Sequence, residues 1–297
     1  MKVYRKIKQR NKMFKNHPVT KNHPNKALLR YVIFNVKNKF LKNIKYKWVG
    51  NLKFLATKGD GGIVGNIYFG LYEFDESMFL IHFLRAEDTF LDVGANIGHY
   101  ALLASGVSKS NTVAIEPVPN TFKRLNKQIA LNKLNDKIQT LNIGVADKAS
   151  HLFFSTDNST MNRVVDDTYK NAVKVEVTTI DALEASESFN LMKIDVEGFE
   201  KFVLNGSAST LKNKNLKAII IEINFSNQFY GVENQEILDI LLSYDFQPYK
   251  YEPERRQLVK LQSYNQDQFN TIFIRDYDFV VKRITESPKI KVWDSYF

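Results

Sequence analysis

Between residues 89 and 223 the chain alternates short apolar runs with helical patterning, and each run gives way to a polar or acidic residue where a loop should start. The runs are Thr89 to Val93, Thr112 to Ile115, Ile138 to Asn142, Phe189 to Ile194 and Ala218 to Ile223. Apolar runs this short read as strands buried on both faces, and helices between them impose a parallel, doubly wound α/β sheet. Helical spacing is carried by His99 to Val107, by Phe122, Leu125, Ile129 and Leu131, and later by Ile237 to Leu242. Phe246 to Tyr251 and Thr271 to Ile274 read as further strands forming an antiparallel edge. Ligands of such sheets sit outside the carboxyl ends of the strands, where Asp92, Glu116, Asn142, Asp195 and Glu222 all fall.

The first strand runs into the tight turn Gly94-Ala95-Asn96-Ile97-Gly98 and then a helix. Glycine lets a backbone pass close to a ligand because no Cβ intervenes. Glu116 closes the second strand, 22 positions past Gly94, where a carboxylate can accept both hydroxyls of a ribose. A nucleoside-containing ligand follows. A dinucleotide fingerprint would need G-x-G-x-x-G to receive a pyrophosphate, but Asn96 and His99 stand at its second and third glycine positions. The spacing therefore favours S-adenosyl-L-methionine, which has no phosphate, over a dinucleotide. The expected donor-binding residues are Asp92, Gly94, Asn96, Gly98, Glu116 and Asn142.

The segments DVGANIGHY, AIEPVPNTFKRL and LMKIDVEGFEKFVLNG, followed by IIIEIN, resemble the FkbM family of S-adenosylmethionine-dependent methyltransferases. The resemblance covers about residues 59 to 224, and Gly70-Leu71-Tyr72-Glu73 is similar to the segment that precedes the core in that family. It implies a Rossmann-like class I methyltransferase fold, a mostly parallel seven-stranded sheet with helices on both faces. It also implies methyl transfer to a hydroxyl oxygen of a sugar on a glycan or glycolipid, or of a natural product.

Asp195 closes the strand expected beside the first strand, so it should face the reacting methyl group. An alcohol is a weak nucleophile until a base takes its proton. Asp195 is the expected catalytic base or orienting group, with Glu222 as its partner. Their like charges should raise one of the two pKa values. The competing reading of Asp195 is a carboxylate that only holds the donor's ammonium or caps the next helix. Glu200 reads as a first-turn acid favoured by a helix dipole, and His99 as a pocket-shaping residue. Two convergent carboxylates are fewer than a hard cation needs, so no metal is expected.

The net charge of +10 is unevenly spread: residues 1 to 50 hold 15 Lys or Arg and no acid. The basic character belongs to an arm. Its first 25 residues, with Lys15-Asn16-His17-Pro18 repeated at Lys21-Asn22-His23-Pro24, read as a loosely held lead. From Asn25 to about Ile44, apolar residues recur at helical intervals among lysines, which suits either packing on the core or peripheral contact with an anionic membrane. Tyr46 to Val49 and Lys53 to Thr57 suggest a β-hairpin, and Glu76 to Leu84 a helix. The expected organisation is a basic arm (1–45), a lead-in (46–84), the methyltransferase domain (85–275) and a tail (276–297).

The absence of cysteine excludes disulfides, thiolate metal sites and the cysteine nucleophile of carbon-5 pyrimidine methylation. With no 18-residue apolar run, a cytoplasmic protein is expected, with a small-molecule or glycan acceptor as partner. The alternative is a nucleic-acid ribose methyltransferase that uses the basic arm on phosphates. Against it, the acceptor-side motif Asp-Val-Glu-Gly is not a base-stacking one. The polar stretch from Ser155 to Asn171 suits either a loop over the acceptor, through Asn162, Arg163 and Asp166, or a surface excursion.

Overall fold

The computed structural model describes residues 2–157 and 161–297. The chain opens with α1 (Lys2–Asn16), α2 (Pro24–Lys37), strands β1 (Ile44–Lys47) and β2 (Lys53–Ala56), and helices α3 (Gly61–Phe69) and α4 (Phe74–Phe83). There follow β3 (Thr89–Val93), α5 (His99–Gly106), β4 (Asn111–Ile115), α6 (Pro119–Asn132) and β5 (Ile138–Leu141). Four short strands come next: β6 (Gly144–Val145), β7 (Ser150–Ser155), β8 (Val164–Val165) and β9 (Ala172–Thr178). The second half holds β10 (Phe189–Ile194), α7 (Glu200–Asn205), α8 (Ala208–Lys212), β11 (Ala218–Glu222), α9 (Asn234–Ser243), β12 (Gln247–Glu252), β13 (Gln257–Lys260) and β14 (Asn270–Ile274). It closes with α10 (Tyr277–Glu286) and the strand pair β15 (Lys291–Val292) and β16 (Ser295–Tyr296).

The main sheet has the order β13-β12-β14-β11-β10-β3-β4-β5. Strands β5, β4, β3, β10 and β11 are mutually parallel, and β14 runs antiparallel between β11 and β12. The chain winds from β3 outward to β5 and then returns to the other side of β3 at β10, which makes the β3/β10 boundary the topological switch point. This is the Rossmann-like methyltransferase arrangement that the FkbM resemblance implies. The expected seven strands are joined by an eighth, β13, which pairs antiparallel with β12 at the edge and exposes Gln257, Val259 and Lys260. Charged and polar residues on an edge strand discourage pairing with another chain.

Side chains alternate between sheet faces, so residue parity assigns each to one layer. Phe90, Ala114, Leu191 and Ile220 join the core under α4, α5 and α10, whereas Leu91, Val113, Met192 and Ile219 join the one under α7 and α9. Two residues on from each of the first set stand Asp92, Glu116, Lys193 and Glu222. Parity therefore directs all four polar side chains to the α4/α5 side at one end of the sheet.

The structure differs from the sequence expectation at both ends of the chain and in the segment after β7. Residues 2–16 form a helix rather than a loose lead, because Phe14 is fully buried with its ring 5.2 Å from that of Phe69, and Thr20 Oγ1 donates to the Phe14 carbonyl at 2.6 Å. His17 packs on Phe69 and Phe74. The second helix stops at Lys37, and Ile44 instead opens the hairpin after the left-handed Asn43. Residues 276–297 are not a free tail, since Val280 and Ile284 of α10 are buried in the main core. The segment Ser155 to Asn171 is partly regular: it contains β8, which pairs antiparallel with β7, and it links β7 to its other antiparallel partner β9, while residues 158–160 lie outside the described ones.

The hairpin is fastened to the sheet layer by two side-chain amides of α6. Gln128 accepts from the Leu55 N–H at 2.8 Å and donates to the Leu55 carbonyl at 2.7 Å, and Asn132 does the same with Lys53 at 2.8 and 2.7 Å. These bonds satisfy β2 as a neighbouring strand would. Asp60, itself buried, receives the Thr57 N–H at 2.8 Å and pairs with Arg124. The start of α3 is thereby tied to the segment after β2 and to α6.

Two glycines separate steric requirement from conformational preference. Gly94 has φ +82°, and a Cβ there would lie 1.9 Å from the Asp195 carbonyl oxygen. Gly231 has φ +68° with open space around it. Gly94→Ala is expected to cost at least about 3 kcal/mol, and Gly231→Ala about 1 kcal/mol. Urea unfolding of both variants checks this; equal losses would show that the β3–β10 contact is not the constraint.

Candidate active site

A cavity of about 400 Å³ opens at the carboxyl ends of β3, β4, β10 and β11. Four regions wall it: Gly61 to Ile63 at the start of α3, the loop 94–97 after β3, Asn224 to Ser226 after β11, and Met161 with Asn162 beyond β7. Its volume falls within the span usual for small-molecule sites, about 300–1,000 Å³.

Lys193 and Asp195 form its floor. The Lys193 side chain is only 1% exposed, and its Nζ lies 3.1 Å from Asp195 Oδ2. It also stands 5.5 Å from the centre of the Tyr100 ring. Burial alone would depress the ammonium pKa, but Asp195, Glu73 and Glu222 more than offset it and push the group upward. Lys193 is therefore a fixed cation. In the register of the sheet it stands beside Asp92, and the Asp92 Oδ2 accepts the Ala101 N–H at 3.0 Å. Burial pushes Asp92 up to about 7 against the pull of Lys193.

Glu116 follows β4, and its two oxygens each take a backbone donor. Oε2 accepts from Asn96 at 3.0 Å and Oε1 from Val118 at 2.9 Å. Each oxygen keeps a lone pair for a ligand hydroxyl, and burial raises the group to about 7. Glu222 rises further, to about 9, through burial and then the nearby Asp195 carboxylate. Both causes favour its neutral form. This is the direction of shift expected from two like charges at neighbouring strand ends.

The cavity is lined by Asp92, Gly94, Asn96, Glu116, Asp195 and Glu222. Gly98 and Asn142 are not among its lining residues, although the sequence suggested both as donor contacts. A Cβ on Gly98, at φ +93°, would meet Leu125 Cδ1 at 2.7 Å, so this glycine serves the packing of α5 against α6. Asn142 Nδ2 donates to the carbonyls of Glu116 and Pro117 at 2.8 and 2.9 Å, fixing the loop that carries Glu116. The strand-end position made Asn142 visible; its direction depends on the β4–β5 neighbour relation.

Four lining residues carry chemistry that sequence reasoning left unassigned: Tyr72, Glu73, Tyr100 and Lys193. Glu73 adopts a left-handed conformation at φ 46°, and its Oε2 accepts from the Tyr100 hydroxyl at 2.7 Å. Lys193 had a sequence signal, a lysine inside an otherwise apolar strand two residues before Asp195, because such a lysine is buried only with a partner. Glu73 had none beyond its motif, since it reaches the site through the turn between α3 and α4.

His99 is buried with both ring nitrogens engaged: Nδ1 lies 3.0 Å from Asn66 Nδ2 and Nε2 2.9 Å from Ser77 Oγ. Burial lowers it to about 3, so it is neutral and a spacer between Trp48 and Tyr100. Glu200 opens α7, and its Oε1 accepts the N–H groups of Val196 at 3.0 Å and Gly198 at 3.3 Å, which braces the loop after Asp195. Glu197 projects into the cavity from a left-handed backbone at φ 55°. In the loop beyond β7, Asn162 lines the cavity, Arg163 stacks 4.2 Å over the Phe229 ring and Asp166 is hydrogen-bonded to Thr168 at the surface. Among the described residues, no group of three or more His, Asp or Glu is placed to hold a metal ion.

A doubly wound sheet with an antiparallel strand near one edge carries its acid-lined cavity at the switch point, where sheets of this class bind their ligands. Residues 92–248 match the model of the methyltransferase FkbM domain, and the chain belongs to that family; it is an S-adenosylmethionine-dependent methyltransferase. It is 27% identical over 172 residues to the hexuronic acid methyltransferase AglP of Haloferax volcanii, covering 57% of this chain and 67% of that one. Among solved structures it is similar to M. jannaschii TYW2 in complex with AdoMet, at 12% identity and TM-score 0.41, covering 80% of this chain and 88% of that one. It is also similar to a TehB-like SAM-dependent methyltransferase from Corynebacterium glutamicum, at 11% identity and TM-score 0.40, covering 72% and 94%.

The raised carboxyl groups predict how stability of the free protein varies with pH. Glu222, Asp92 and Glu116 bind their protons more tightly folded than unfolded, so their contribution is fully present below about pH 4 and is lost progressively as pH rises to about 7 for Asp92 and Glu116 and about 9 for Glu222. Tm should fall from about pH 4.5 to about pH 9, and Glu222→Gln should flatten the upper part of that decline. Thermal melts in a pH series test it; an unchanged slope in the variant would remove Glu222 as a buried acid.

Proposed function

We propose that this enzyme methylates a hydroxyl oxygen of a sugar, with the donor held by the ends of β3 and β4 and the acceptor placed over Asp195. The observation that carries the reading is the Lys193–Asp195 ion pair at the floor of the cavity, with Glu222 lining the same cavity. Glu116 suits the ribose hydroxyls of S-adenosylmethionine, and Asp92 with the loop 94–97 suits its amino-acid end. Net-cationic, the donor finds the acidic side chains of Glu73, Asp92, Glu116, Asp195 and Glu197 against Lys193 among the described lining residues. When bound, it supplies an electrophilic methyl group on a sulfonium sulfur.

The residues then divide the work on the acceptor. Asp195 Oδ receives the hydroxyl proton as the oxygen attacks, and Lys193 stands behind it as a fixed opposite charge. Glu222, carrying its proton, donates a hydrogen bond that orients the acceptor. Alignment supplies much of the acceleration in a displacement of this kind. Phe225 and Phe269 line the cavity yet stand 63% and 42% exposed, which places aromatic faces at the rim where the C–H face of a sugar ring can stack. The sugar acceptor named for the Haloferax volcanii relative supports the same class. A nucleic-acid acceptor is disfavoured because the cation at the cavity floor, Lys193, is buried and already paired with Asp195.

Asp195→Asn should lower kcat at least about 100-fold while leaving donor affinity within a few-fold, and Glu116→Gln should weaken donor binding about tenfold or more. Calorimetry with S-adenosylmethionine and labelled methyl transfer to a glycolipid extract or to total RNA measure both arms. Labelling of RNA alone would overturn the sugar reading, and an unimpaired Asp195→Asn enzyme would remove the base.

A further inference from the structure

Helix α2 is apolar on two opposite sides. At about 100° per residue, Ala27, Tyr31 and Phe34 share one side. Ala27 and Phe34 are buried there against α3 and the hairpin, and Tyr31 packs beside them. Leu29, Val32, Ile33 and Val36 share the other side and are exposed at 59, 40, 42 and 51%. The turn after the helix extends the same stripe through Phe40 and Leu41, exposed at 82 and 56%. A helix on the surface of a soluble domain needs one apolar stripe, the one facing the core. The second needs another apolar phase.

The charge around it says which. Lys26 and Lys37 flank the stripe on the helix, and Lys39 and Lys42 flank the turn; all four are exposed. Among the described residues none of these four takes part in an ion pair, and residues 1 to 50 contain no acid at all. A second copy of this chain would press one cationic face against another. An anionic lipid surface offers both the apolar depth and the opposite charge. No described helix is long and apolar enough to cross a membrane, and the stripe lies along the helix rather than around it.

We propose that α2 and the turn 38–41 form an interfacial docking surface for an anionic membrane, with Leu29, Ile33, Val36, Phe40 and Leu41 entering the acyl boundary and the lysines contacting headgroup phosphates. The proposal is independent of the acceptor. Because α2 packs on α3, whose first residues wall the cavity, docking would hold the active site at a fixed height above the lipid.

Sedimentation of the full chain with vesicles tests it. Binding is expected to phosphatidylcholine vesicles containing about one third phosphatidylglycerol, and to be at least about tenfold weaker with phosphatidylcholine alone. Raising salt from about 0.1 M to 0.5 M should weaken it. The triple variant Leu29→Ser/Ile33→Ser/Val36→Ser and the charge variant Lys37→Glu/Lys39→Glu/Lys42→Glu should each lose at least about tenfold. Calorimetric donor binding reports that the variants are folded, since neither set touches the cavity. Equal binding to neutral and anionic vesicles, or affinity unchanged in both variants, would overturn the proposal. So would a concentration-dependent dimer that the triple variant abolishes, which would assign the stripe to a second copy.

Discussion

A lysine ammonium almost wholly removed from water sits at the centre of this molecule, and the surrounding structure is arranged to keep it there. Lys193 projects from β10, an interior strand whose own remaining residues are mostly buried and apolar. Charge in such a place persists only with partners. Asp195 supplies the direct contact, while Glu73 and Glu222 raise the ammonium pKa from further off. Those same acids need the lysine, because burial drives Glu73 and Glu222 toward their neutral forms. The cluster is a single electrostatic unit, in which Lys193 pulls the acids toward ionisation while burial pulls Glu73 and Glu222 the other way.

Around that unit the backbone is held in conformations that ordinary residues avoid. Glu73, Asn96 and Glu197 all have positive φ, and all line the cavity. Each costs about 1–2 kcal/mol. Side-chain bonds from neighbouring elements brace them: Tyr100 of α5 holds Glu73, Glu116 after β4 receives the Asn96 N–H, and Glu200 of α7 braces the loop through Val196 and Gly198. Strain gathered at a cavity wall is a feature of preorganised sites.

The N-terminal layer is structural as well as basic. Its aromatic cluster includes Ile97, which belongs to the loop after β3, so the arm and the donor loop share one apolar packing unit. Composition hid this. Lysines and asparagines dominate the first 25 residues, and the few anchors that order them, above all Phe14, act on partners about 50 residues away. The α2 stripe shows the converse: apolar spacing marked a helix, but spacing alone did not separate the buried side from the exposed one.

What the sequence determined by itself was the parallel sheet and the row of acids at its strand ends, because strand periodicity and helical crossovers leave little freedom of topology. The parity of residues 92, 116, 193 and 222 was already written in the chain. What only the tertiary structure decided was direction and partnership. Asn142 turns to brace the Glu116 loop, Gly98 serves helix packing, and Glu73 arrives from a turn over 100 residues upstream of Lys193. Local sequence fixes which residues lie at an end of the sheet; which of them meet depends on long-range packing and on the mutual desolvation of charges, and neither exists until the layers close.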